Sequence, residues 1–98
     1  MNKKLYILIR EDLSNAQQAV QAGHAVAEYL LKGPETTWDN GTLIYLGVPN
    51  KEHLEKWQYK LDARNMSYVT FKEPDIGNEV TALAIITNTE IFKSLPLA

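Results

Sequence analysis

Between Lys4 and Arg10 the chain is continuously apolar and rich in β-formers, the pattern of a strand covered on both faces. Charge follows at once in Arg10-Glu11-Asp12. Ser14 and Gln17 then fit the S-x-x-Q capping box, which predicts a helix beginning near Asn15. At 100° per residue, Ala16, Ala19, Val20, Gly23, Val26, Ala27, Leu30 and Leu31 share one arc of that helix, the arc expected to meet a core. Gln17, Gln21, His24 and Glu28 run together along its exposed border. Lys32 and Gly33-Pro34 supply the closing signal.

A polar connection from Pro34 to Gly41 leads into a second strand, Thr42 to Val48. Pro49-Asn50 caps a second helix reaching about Arg64, with Leu54, Trp57 and Leu61 on its inner face. Ser67 to Lys72 is a third strand and Glu79 to Ile86 a fourth. The segment between them, Glu73 to Asn78, is too long for a tight hairpin and rich in turn formers. Asn88 is placed to cap a short last helix through Ile91, Phe92 and Leu95.

The order is therefore β-α-β-α-β-β-α. Strands alternating with helices imply an α/β fold, largely parallel and covered on both faces, that is, a three-layer α/β/α sandwich around a four-stranded mixed sheet. The final strand pair supplies its antiparallel element. In such sheets ligands gather where a strand's carboxyl end meets the following helix. Here that corner is Arg10 to Gln21.

At 98 residues the chain is expected to form a single domain over 1–98, with one core. There are no cysteines, so disulfides and thiolate chemistry are excluded. The two histidines lie on different helices without ligand spacing, and neither a metal nor a cofactor is expected. Met1-Asn-Lys-Lys is followed by too short an apolar run for a signal peptide, and no segment is long enough for a membrane span, so a cytoplasmic location is expected. A net charge of −2 argues against coating nucleic acid by bulk charge, while leaving room for a local basic patch.

Arg10-Glu-Asp-Leu13, followed by a helix bearing Gln21-Ala-Gly-His-Ala25, resembles the type 2 peptidyl-tRNA hydrolases, whose first strand ends in R-x-D-L before a helix carrying Q-x-x-H-A. Asp75-Ile-Gly77 is similar to the family's D-A-G, and Thr81-Ala-Leu-Ala-Ile85 to its T-x-L-A-I strand. The likeness runs in order over most of the chain, and its fold is the α/β/α sandwich already read from the pattern. Two departures stand out. The helix position of the family's catalytic lysine is Gln17, with the preceding loop two residues shorter, and Asp75 is followed almost directly by Glu79-Val-Thr81.

What the resemblance implies is metal-independent water attack on the ester of peptidyl-tRNA, releasing peptide and free tRNA. Such chemistry needs an oriented water, a proton acceptor and donors for the oxyanion. Asp75 matches the family's catalytic aspartate; as a residue it is equally a turn former bonding its own backbone. Thr81 can aim its hydroxyl into the same cleft or serve only as a strand former. Gln21 and Gln17 lie one turn apart and can hold a carbonyl or phosphate oxygen, with the Ser14 cap as a rival role for Gln17. Arg10 is the candidate for missing positive charge, and Asp12 its partner at the corner. His24 borders the apolar arc, where a hydrogen-bonded core-edge role competes with catalysis.

Lys56, Lys60 and Arg64 recur at four-residue spacing on the second helix and form a basic stripe able to meet tRNA phosphates. Glu52 and Glu55 are interspersed, so the stripe also reads as a solvated, ion-paired face. The alternative function is a non-catalytic module on the same fold that binds RNA or protein, and the two departures support it. The resembled family often pairs, which points to a homodimer, although no exposed apolar stripe in the sequence demands one. The hydrolase reading requires the segment around Asp75 to fold over the start of the first helix.

Overall fold

The computed structural model describes residues 4–33, 38–87 and 90–98. Six principal elements follow in order: β1 (Lys4–Arg10), α1 (Asn15–Lys32), β2 (Thr42–Val48), α2 (Lys51–Ala63), β3 (Val69–Glu73) and β4 (Glu79–Thr87). A single 3-10 turn, Pro74–Ile76, joins the last two strands. The strands lie in the order β2-β1-β4-β3. The β1–β2 ladder is parallel, and β4 runs antiparallel to both neighbours. Three strands thus point the same way, yet two of the three ladders are antiparallel. The α2 crossover carries the chain past β1 to the far side, and β4 fills the gap it leaves.

Alternation along β1 divides the core in two. Leu5, Ile7 and Ile9 face α1, where they meet Ala22, Ala25 and Tyr29. Leu8 faces α2 and packs with Leu46, Leu54, Trp57, Leu61 and Phe92. The helices therefore cover opposite faces of the sheet, as a three-layer sandwich requires. No helix among the described residues is long and apolar enough to cross a membrane.

Both helices start where the caps place them. The Ser14 hydroxyl accepts the Gln17 N–H at 3.2 Å, and Asn50 Oδ1 accepts the His53 N–H at 3.0 Å. Helix α1 stops at Gly33, whose N–H donates to Tyr29 O and whose position leaves no room for a Cβ against that carbonyl. Pro34 lies outside the described residues. Helix α2 buries Leu54, Trp57 and Leu61, the face expected from its sequence.

Helix α1 does the opposite of what its pattern predicts. It buries Gln21, Ala22, Ala25 and Tyr29 and turns the long apolar arc outward. Val20 is 55% exposed, Leu30 51% and Leu31 80%. The cause lies in the surface α1 has to meet. Ala82 and Ala84 on β4 form a shallow floor that only small residues such as Ala22 and Ala25 can approach closely, while the buried Thr81 hydroxyl needs a polar partner on the helix.

After β4, residues 91–94 form hydrogen-bonded turns where a short helix is expected, with Lys93 N–H donating to Glu90 O and Leu95 N–H to Phe92 O. Asn88, the expected cap, lies outside the described residues. Phe92 plugs the α2 face, and Leu97 forms an antiparallel bridge to Leu46 on the β2 edge.

Candidate functional site

The register between β3 and β4 contains one irregularity. Phe71 pairs with Ala82, but the next residue, Lys72, pairs with Val80, so Thr81 is an extra residue on β4. This is a β-bulge, the device that re-aims a side chain without ending the strand. Val80 faces α2 and Ala82 faces α1. Thr81 between them also turns to α1, where its hydroxyl donates to Gln21 Oε1 at 2.6 Å.

Gln21 is only 3% exposed and holds two segments at once. Its Oε1 accepts from Thr81, and its Nε2 donates to Glu73 Oε1 at 3.3 Å. The carboxylate can only accept, so it dictates which way the amide points. Glu73 supplies the last residue of β3. The chain then makes its 3-10 turn through Asp75 and passes through Gly77 and Asn78, both left-handed at φ near 60° (63° and 61°), before Asn78 N–H closes on Glu73 O at 2.9 Å.

That turn sits beside the first turns of α1. Gln17, Gln21, Glu73 and Asp75 line a shallow cleft of about 220 Å³ whose other walls are Ala16, Val20 and Ile76. It lies at the carboxyl ends of β1 and β3, the location expected from the strand and helix order. Asp75, Gln17 and Gln21 are therefore brought together, and Thr81 stands behind Gln21, fully buried, rather than in the cleft wall. The cleft carries two carboxylates and no lysine or arginine among its lining residues.

Arg10 is committed elsewhere. It is 6% exposed, bidentate to Asp12 at 3.0 and 2.8 Å, paired with Glu79 at 2.9 Å, and bonded to Val80 O at 3.1 Å. Its hydrogen bonds to Asp12 raise the guanidinium further above its ordinary range, with burial opposing and Glu79 adding to it. The same bonds hold the Asp12 carboxyl below the usual carboxylate value. Arg10 and Asp12 thus tie the end of β1 to β4, and neither lines the cleft.

His24 lies flat on Phe71, ring centroids 4.4 Å apart and planes 5° from parallel, with its outer surface exposed. Lys56 and Lys60 on α2 and Arg64 at its C-cap are all exposed, across the sheet from the cleft, and the Lys60 ammonium sits 4.5 Å over the Trp57 ring. The basic stripe and the cleft are therefore not one surface. Sequence reasoning missed Glu73 and the aromatic floor of Phe71. Their only signal is strand register, and the bulge shifts that register. Among the described residues no three histidine or acidic side chains converge as a metal site would need.

No protein-family model matches the sequence, and no functionally curated protein matches it. Among solved structures, the chain is similar to a protein of unknown function, Atu0240, from Agrobacterium tumefaciens strain C58. The TM-score is 0.74 at 12% identity, over 100% of this chain and 98% of that one. The likeness is one of fold.

Proposed function

We propose that the cleft is an ester-hydrolysing site of the type 2 peptidyl-tRNA hydrolase kind. The supporting observation is that Asp75 and the Gln17–Gln21 pair, from segments far apart in sequence, line a single cleft at the head of α1. Asp75 takes a proton from water as the water oxygen attacks the ester carbonyl. Gln17 donates an amide N–H to the developing oxyanion, and Gln21 offers the one N–H that Glu73 does not take. Collapse of the tetrahedral intermediate expels the ribose hydroxyl of the tRNA end, which recovers the proton from Asp75. Peptide acid and free tRNA result.

One observation favours a second reading, a binding module without turnover. The cleft holds Glu73 and Asp75 with no lysine or arginine among its described lining residues, a poor match for phosphate. Purified protein incubated with peptidyl-tRNA separates the two, with a known hydrolase as control. The hydrolase reading expects peptide release that falls at least about 100-fold in Asp75→Asn, the range of a lost general base. Substrate left intact by the parent but cleared by the control overturns it. Release that appears only in Gln17→Lys supports the binding module.

A further inference from the structure

We infer that the imidazole of His24 is a stacking platform for the terminal adenine of tRNA, holding the attached ribose against the cleft. The observation is the ring pair beside that cleft. One face of the imidazole is covered by Phe71, 4.4 Å away between centroids and within 5° of parallel, while the residue is exposed on its other side. Its ring nitrogens have no hydrogen-bond partner among the described residues. A histidine oriented by a stacked ring, with no hydrogen bond to select a tautomer, presents a flat face rather than a chosen nitrogen.

Position ties this platform to the cleft. Phe71 and Glu73 lie on the same side of β3, and His24 and Gln21 are neighbours on one face of α1. The pairs His24–Phe71 and Gln21–Glu73 are therefore consecutive rungs between helix and strand. Three helical residues advance about 4.5 Å, an offset that a ribose spans. A base lying on His24 delivers its sugar hydroxyls to the segment where Gln17, Gln21 and Asp75 meet.

The chemistry of the cleft selects the occupant. Glu73 and Asp75 accept hydrogen bonds from ribose hydroxyls, and without a lysine or arginine among the described lining residues they disfavour phosphate. The terminal nucleoside is the one part of a tRNA with no phosphate on its 3′ side. A flat ring to stack, with hydroxyls beyond it, is the chemistry of a nucleoside, and histidine is among the side chains on which unstacked bases lie. Because Phe71 already holds the imidazole, stacking orders little that was loose before. The choice of the terminal adenosine rests on the hydrolase reading, whereas the stacking itself needs no turnover.

The trinucleotide CCA with a free 3′-hydroxyl is the probe, titrated into the protein while proton NMR follows the imidazoles. The chain has two histidines, and His53, on the opposite helix, is the internal control. The His24 ring protons are expected to move upfield and those of His53 to stay. By equilibrium dialysis, His24→Ala weakens binding at least about 5-fold, the lower end of alanine losses at a base–aromatic contact, and His24→Phe keeps it within about twofold. CCA bearing a 3′-phosphate binds at least about 5-fold more weakly, because its added charge faces Glu73 and Asp75. A silent His24, a His24→Phe as weak as His24→Ala, or a 3′-phosphate without effect overturns the inference. So does N-acetylphenylalaninamide that moves His24 where CCA does not. A chain that binds CCA at His24 yet leaves peptidyl-tRNA intact keeps this inference and removes the hydrolase reading; hydrolysis with a silent His24 does the reverse.

Discussion

Replacing Thr81 with valine keeps the side-chain shape and removes one hydroxyl hydrogen. Gln21 Oε1 then loses its 2.6 Å donor in a site where both residues are buried. The amide cannot escape by turning over, because its oxygen would then face the Glu73 carboxylate. A buried acceptor left without a donor costs about 1–3 kcal/mol. In a domain of this size each kcal/mol moves the melting temperature by about 4–8 °C, so Thr81→Val melts at least about 4 °C below the parent. Adding Gln21→Leu removes the stranded acceptor and recovers most of that loss, since replacing both partners by apolar groups is nearly neutral. Half-buried Glu73 turns to water in that double variant. Urea unfolding of the parent, both single variants and the double variant gives a coupling of about 1 kcal/mol or more. If Thr81→Val stays within about 0.5 kcal/mol of the parent, the lock between β4 and α1 has been misread.

Asp12 links stability to pH. Its folded pKa is depressed by Arg10, so its contribution is complete above the unfolded value of about 3.9 and fades as pH falls through the lower folded value. Asp12→Asn therefore lowers the urea midpoint at pH 7, and its gap from the parent closes in acid; at 41% side-chain exposure the gap is small. A gap that widens towards pH 3 contradicts the pairing. Phe92, 3% exposed and 5.1 Å from both the Tyr6 and Trp57 rings, anchors the segment after β4. Phe92→Ala loses about 3–5 kcal/mol in denaturant unfolding, whereas a loss under 1 kcal/mol shows that segment to be unnecessary to the core.

The four strands, the two long helices and their amino-terminal caps were legible because each rests on local chemistry, whereas the short last helix expected after β4 is a run of turns. Asn50 and Ser14 cap whatever the rest of the chain does, and Leu54, Trp57 and Leu61 recur on the only apolar arc α2 possesses. Helix α1 has two. Periodicity selects the richer arc, but burial is decided by the floor opposite, where Ala82 and Ala84 accept Ala22 and Ala25. The meeting of Asp75 with Gln17 and Gln21 was a requirement of the family resemblance rather than something local pattern carries. The sequestering of Arg10 was not legible, because Glu79 and Val80 O reach it only through strand pairing. Thr81 behind Gln21 depends on a register slip that no local pattern encodes.

The sheet itself has no use for Thr81. With that residue excised, Val80 and Ala82 become neighbours already pointing to opposite sides, and the rungs Phe71–Ala82 and Lys72–Val80 follow one another as in an uninterrupted ladder. The shortened chain should therefore fold, with its sheet more regular than before and its first helix keeping only the Glu73 tie at Gln21. One supernumerary residue divides what the scaffold needs from what the cleft needs.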